Sequence, residues 1–312
     1  MSIIMISGIA VAKSLIVHGG DSRGGTLTEF RRVKCVVGDR IEMLPVISGN
    51  SIRGLLRDAC AEFSLRAAGI EKLKDIGAYH LLFSGGALTK GGSEAYVNVA
   101  EEKKLRELLP ALSLFGGSLG NRILGGRLDV GEWVPLCEEL AWMVPDEYAE
   151  LARKFSIYDL VDVIGFTRRD DAKNRRLQEH LDDDTLRLYM QRKETLREAN
   201  EAEEPGASAQ MRYFMECLIP GTKFYVEFVL HHVTDVELGT FLGGLALFAN
   251  RPAVGGRAST GLGRVELELK QVDISEPVRV AGEIALGKIE LAQRHLAERR
   301  SEIIGLLEGI LQ

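Results

Sequence analysis

The sequence predicts an α+β fold whose core runs β-α-β-β-α-β and is interrupted by two insertions. Three observations predict it. Stretches rich in β-branched residues at 3–17, 223–233 and 265–269 read as strands. Segments at 49–68 and 236–248 carry apolar residues at helical spacing. Residues 167–208 hold few large apolar groups, so they project from the core as an arm. This order is the ferredoxin-like pattern, which RNA-recognition modules share. It is an analogy of fold and names no activity.

Taken in order, residues 3–17 form a long central strand with Lys13 inside it. His18 to Gly25 is a glycine loop that contains Gly20, Asp21 and Arg23. Phe30 to Val37 alternates apolar residues with Arg31, Arg32 and Lys34, a strand with a basic face. Ser48, Asn50 and Ser51 offer N-caps to a helix whose apolar face is Ile52, Leu55, Leu56, Ala59 and Phe63. Arg53 and Arg57 lie off that face, one turn apart. With the unpaired N–H groups of a helix start they suit a phosphate seat. Tyr79 to Phe83 is expected as a strand, and Glu101 to Leu109 as a helix stopped by Pro110. A glycine loop with Arg122 leads to a strand over 123–134. No Walker lysine follows these glycines, so they do not support a P-loop.

Glu147 to Phe155 is expected helical and Ile157 to Phe166 extended. Arg168 and Arg169 open the arm, which is acidic further on. Strands at 211–219 and 223–233 are joined by Pro220-Gly221-Thr222. Gly239, Gly243 and Gly244 let the following helix pack closely on a sheet. A glycine-rich loop holding Gly256, Arg257, Ser259 and Thr260 precedes the last strand. One amphipathic helix closes the chain over 279–311.

The chain has 312 residues, of which 46% are hydrophobic, enough for one elaborated domain with insertions at about 70–112 and 167–208. Its net charge of −6 argues against a freestanding nonspecific nucleic-acid binder but allows a local basic groove. Cys35, Cys60, Cys137 and Cys217 form no CxxC pair and read as reduced core thiols of a cytoplasmic protein. The six histidines are equally scattered, so no metal site is expected. Ala10-Val11-Ala12 resembles a signal-cleavage site, but no Lys or Arg precedes it, and a buried first strand is the better reading. No transmembrane span is expected.

Four blocks carry a more specific likeness. Ile47-Ser48-Gly49-Asn50-Ser51-Ile52-Arg53-Gly54-Leu55-Leu56-Arg57 is one. Leu114-Phe115-Gly116 followed by Gly126-Arg127-Leu128-Asp129-Val130 is the second. The third runs from Arg168-Arg169 to Tyr213-Phe214 and the Pro220-Gly221-Thr222 turn, and the fourth is the loop from Gly255 to Gly263. Together they resemble the RAMP superfamily of CRISPR-associated proteins, in particular the backbone subunit that polymerises along guide RNA in effector complexes. The first block is similar to the family's I-x-G-S-S-[LI]-[KR]-G-x-L-R helix start, with Asn50 in place of a serine. The family's usual acidic cleavage loop is not matched, which favours the type IV branch.

The resemblance implies a finger-like first insertion and a thumb-like arm. It implies as partners CRISPR guide RNA, target nucleic acid through that guide, further copies of the chain head to tail, and other effector subunits, with no membrane and no cofactor. RNA-binding residues would be Lys13, Gly20, Arg23, Ser48, Asn50, Ser51, Arg53, Arg57, Arg122, Arg168, Arg169, Gly256, Arg257, Ser259 and Thr260. They would contact phosphates without reading bases. No catalytic residue is expected. The alternative is an endoribonuclease of the same superfamily, through Asp21 or through His18 as general acid or base.

Overall fold

β1 (Ile3–Ala12) is the central strand that the sequence leads one to expect, but it stops short of the expected residue 17 and leaves Lys13 outside it. The computed structural model describes residues 3–20, 27–86, 99–119, 122–167, 181–203, 212–271 and 283–309. After β1 come β2 (Leu27–Thr28), β3 (Arg32–Val37), β4 (Arg40–Pro45), α1 (Gly49–Ala67) and α2 (Ile76–Tyr79). A π-helical turn (His80–Ser84) leads to α3 (Val99–Leu108) and α4 (Pro110–Phe115). Next are β5 (Gly117–Leu119), β6 (Arg122–Leu124), β7 (Leu128–Val130) and β8 (Val134–Pro135). A 3-10 turn (Glu138–Met143), α5 (Asp146–Ala152), α6 (Ile157–Leu160) and β9 (Val161–Thr167) follow. The arm contributes α7 (Asp183–Glu203). The chain continues with β10 (Arg212–Leu218), β11 (Lys223–His231), α8 (Asp235–Asn250), β12 (Val265–Gln271), α9 (Glu283–Glu298) and α10 (Arg300–Glu308).

The architecture is mixed α+β with antiparallel sheets. The main sheet has the order β12-β1-β11-β7, every neighbour antiparallel, with β8 extending the β11 edge. Ile6 pairs with Phe228 and Ala10 with Phe224, and all four are buried. The Phe228 ring meets Phe241 of α8 edge-on at 5.6 Å, so α8 lies on this face. The alternate residues, among them Glu227, Glu266 and Glu268, form the opposite face. Part of that face is covered by α5, whose Tyr148 lies 5.5 Å from Tyr225.

α8 is apolar on nearly all sides because it also packs on two helices. A Cβ on Gly244 would lie 2.2 Å from Cys60 Sγ of α1, and one on Gly239 would lie 2.0 Å from the Lys288 carbonyl of α9. The three glycines therefore serve helix–helix contact, not the sheet contact expected of them.

Other expectations are corrected. Residues 79–83 are helical: the Asp75 carboxylate caps the N–H groups of Gly77 and Ala78, and Gly85 at φ +75° ends the turn. Pro110 ends α3 but opens α4 at its N1 position. The strand expected over 123–134 is three short pieces, interrupted at Gly125-Gly126 and Gly131. Ser156 starts a capped helical turn, with Asp159 completing the capping box, before β9 begins. The C-terminal helix is two helices, broken at Arg299. β10 and β11 do not form a hairpin: β10 joins β2 and β9 in a separate three-stranded sheet. Their Pro-Gly-Thr turn is bound to the end of β1 through Gly221 N–H to the Ala12 carbonyl, 2.8 Å. β3 and β4 form a two-stranded hairpin of their own. Almost every described side chain of α7 is exposed. No helix among the described residues is long and apolar enough to cross a membrane.

Candidate nucleic-acid interface

Three segments distant in sequence converge beyond the end of β1. The first is residues 15–20. Its backbone runs between Leu218 and the strand 29–31, with Arg31 N–H donating to the His18 carbonyl at 2.7 Å. The second is the glycine-rich loop. Gly263 N–H donates to the Leu15 carbonyl at 2.8 Å and Gly256 N–H to the Val17 carbonyl at 2.7 Å. A Cβ on Gly255, at φ +73°, would sit 2.1 Å from that same Val17 oxygen. Only glycine allows this approach. The loop base is thus fixed, while Gly256, Ala258, Ser259 and Thr260 are exposed at its tip. The Thr260 hydroxyl closes the tip by donating to the Arg257 carbonyl at 2.8 Å.

The third segment is the start of α1. Ser48 takes the N-cap position, but its hydroxyl makes no cap bond. Its N–H donates instead to His18 Nε2 at 3.2 Å. That bond requires an unprotonated Nε2. Burial, with the nearby Arg31 charge adding to it, lowers the His18 pKa and keeps the ring neutral. Asn50 is exposed at this corner and Ser51 half-buried.

Arg257 joins the loop to the root of the arm. Phe166 of β9 and Tyr213 of β10 are a cross-strand pair, stacked at 5.3 Å. The Arg257 guanidinium lies 4.9 Å from the first ring centroid and 5.0 Å from the second. Its Nη1 is 3.4 Å from Tyr213 Oη. Arg257 holds a left-handed backbone, φ +61°, to reach them. Among the described residues no carboxylate pairs with it, so its remaining N–H groups can meet an anion.

Arg53 and Arg57 point elsewhere. Arg53 donates to the carbonyls of Leu128 and Phe115, the latter at 2.7 Å. Arg57 donates to Phe115 and Gly116, both at 3.0 Å. Both guanidinium groups lie 5.5 Å from the Phe115 ring centroid. Burial lowers the pKa of each. They bind α1 to the open carbonyl end of α4, where cations are favoured. This differs from the phosphate seat expected of them. Lys13 is exposed and paired with Glu266 at 2.7 Å. Arg122 lies on the β5–β6 hairpin. Asp21, Arg23, Arg168 and Arg169 lie outside the described residues.

So His18, Gly20, Ser48, Gly256 and Arg257 come together, with Asn50 and Ser51 at the rim, while Arg53 and Arg57 do not join them. The aromatic pair Phe166 and Tyr213 was missed by sequence reasoning. Its one signal is the apolar alternation of two strands that are 45 residues apart at their near ends.

A profile of the RAMP superfamily matches residues 17–266. The chain belongs to the RAMP superfamily. The match takes in residues 17–20, the start of α1 and the glycine-rich loop, and ends before α9 and α10. No curated protein matches the chain. A chain of a solved structure described as a Type IV-B CRISPR Complex superposes with a TM-score of 0.55 at 21% identity. The alignment covers 88% of this chain and 92% of that one. At this identity the likeness is one of fold.

Proposed function

We propose that this RAMP protein is a guide-RNA-binding backbone subunit of a CRISPR effector ribonucleoprotein, of the type IV branch. The observation that carries the reading is the fixed glycine loop whose exposed tip presents Arg257, held on two aromatic rings, beside the start of α1. A guanidinium without a carboxylate partner and the exposed hydroxyls of Ser259 and Thr260 suit phosphates and are indifferent to base identity. The strand order β12-β1-β11-β7, with α1 and α8 as crossovers, is read as the ferredoxin-like core. RNA-recognition modules stack bases on the open sheet face. Here that face carries Glu227, Glu266 and Glu268 and is partly covered by α5, which favours the loop side for RNA. The fold shared with a type IV-B complex chain supports the branch and supports other subunits as partners. Copies would bind head to tail along the guide, leaving its bases to pair with target.

The ribonuclease alternative is disfavoured at His18, because its Nε2 already accepts the Ser48 N–H. Incubating the protein with labelled guide precursor in EDTA tests this. Cleavage lost in His18→Ala would reverse the assignment.

The main test is light scattering after size exclusion, with the 260/280 nm ratio read before and after ribonuclease. Large RNA-bearing particles that shorten on digestion are expected. A monomer that stays a monomer when guide RNA is added would overturn the reading.

A further inference from the structure

A cleft of about 660 Å³ lies at the far end of the main sheet from the loop site. Ile3, the first residue of β1, pairs with His231, and His231 N–H donates to the Arg127 carbonyl at 2.8 Å. The start of α8 therefore stands at that end. The cleft is walled by α3, by the start of α8 and by His295 of α9, and Pro110 and Val236 give it apolar surface. A volume of this kind suits a small organic molecule. His295 lies beyond residues 17–266, so part of the wall is no feature of the RAMP profile.

The charges on the walls are unevenly answered. Glu102 is held by Arg106 at 2.7 Å and Glu107 by Arg299 at 3.0 Å. The buried Glu237 carboxylate accepts from Thr234 N–H at 2.6 Å and from Arg127 Nη1 at 3.0 Å. Arg127 Nη1 also donates to the His232 carbonyl at 3.1 Å. The guanidinium is thus fixed through one nitrogen, and among the described residues its Nε and Nη2 make no hydrogen bond. Lys103 is exposed at the rim, and among the described residues no carboxylate pairs with it. His295 Nε2 lies 2.9 Å from the Glu107 carbonyl, and because a carbonyl only accepts, that nitrogen carries a proton. Each carboxylate lining the cleft therefore has its partner, while two cations keep donors to spare. A guanidinium already held by a buried carboxylate meets a further oxyanion with little loss of side-chain freedom.

We propose that this cleft binds a small organic anion, a carboxylate or phosphate on an apolar body. Arg127 and Lys103 meet the anionic group, and Pro110 and Val236 lie against the body. The site stands apart from the proposed RNA contact and does not depend on it.

Isothermal titration of the full chain with naphthoate, naphthyl phosphate and the uncharged naphthyl methanol tests it. At least one anion should bind with a Kd on the order of 0.1 mM. The uncharged analogue should bind about tenfold more weakly. The tighter of the two anions identifies the class of headgroup. Lys103→Glu should weaken that anion by about tenfold. Lys104→Glu makes the same charge change one residue on, at an exposed position outside the cleft, and should weaken it by about twofold at most. Val236→Phe, with its far-UV circular dichroism unaltered, should remove binding by filling the cleft. Excess single-stranded RNA should leave the Kd unchanged. No binding at millimolar probe overturns the proposal. Equal affinity for the uncharged analogue, equal losses in the two lysine variants, or displacement by RNA each overturn it as well.

Discussion

Replacing Arg257 separates its two roles. Its guanidinium lies over Phe166 and Tyr213 at 4.9 and 5.0 Å and is half-buried. Such a contact is worth about 1–2 kcal/mol when partly desolvated. Against this, the left-handed backbone at φ +61° costs a non-glycine residue about 1 kcal/mol. Arg257→Ala loses the first and keeps the second, so it should destabilise by about 1–2 kcal/mol. Arg257→Gly loses the contact but relieves the strain, and should be about 1 kcal/mol more stable than the alanine variant. For a chain of this size each kcal/mol moves Tm by about 2 °C, within reach of differential scanning calorimetry. Both variants remove the same cation from the loop tip. Each should therefore lower the slope of log K against log salt for single-stranded RNA by about 0.7. Equal Tm values for Ala and Gly would refute the strain argument. A wild-type slope in both would reduce Arg257 to a strut that does not touch RNA.

Arg53→Ala should cost about 2 kcal/mol, because it removes the charged donor to the Leu128 carbonyl and one of two to Phe115, which keeps Arg57. Its salt slope should stay at the wild-type value, and a reduced slope would restore the phosphate role first expected of it. His18 has a folded-state pKa below its unfolded value of 6.5, so the unfolded chain binds the proton more readily. Its contribution is complete above pH 6.5 and is lost as pH falls through the folded pKa. Urea titrations should show that decline in wild type and a flatter profile in His18→Gln, whose amide oxygen accepts the Ser48 N–H at any pH. Gly244→Ala forces a Cβ to 2.2 Å from Cys60 Sγ and 2.8 Å from its Cα, and should cost about 1–3 kcal/mol in thermal unfolding. Adding Cys60→Ala should recover only part, since the backbone clash remains.

The core was legible because its elements are governed by local pattern. The β-branched run of β1, the helical spacing of α1 and the alternation of β11 and β12 each decide their own state. The failures lie where a neighbour decides. Residues 79–83 look extended until the Asp75 cap is seen to start a helix. β10 looks like a partner for β11, but the Pro-Gly-Thr turn is held by the end of β1, and the two strands enter different sheets. Arg53 and Arg57 show the same limit within the site. Their position on a helix start is correct, and the motif is real, yet nothing in the sequence says that the carbonyl end of α4 will come to meet them. Arg257 was legible as a loop cation. The aromatic pair that holds it required the pairing of β9 with β10.

With Arg53 and Arg57 turned inward, the proposed RNA contact has few cations among the described residues of the loop side, on a chain of net charge −6. The described loop side offers Arg257 without a carboxylate partner, while Lys13 is paired with Glu266. Each phosphate contact on a single strand adds only about 0.7 to the salt slope, so one subunit with few contacts binds weakly at physiological salt. On the proposed function, affinity then comes from neighbours. A subunit already docked on the preceding one meets the next stretch of RNA at high effective concentration, which multiplies weak contacts without adding any. On this argument the acidic balance is useful. In the proposed filament it would keep single copies off unrelated RNA and make stable binding conditional on assembly along one strand.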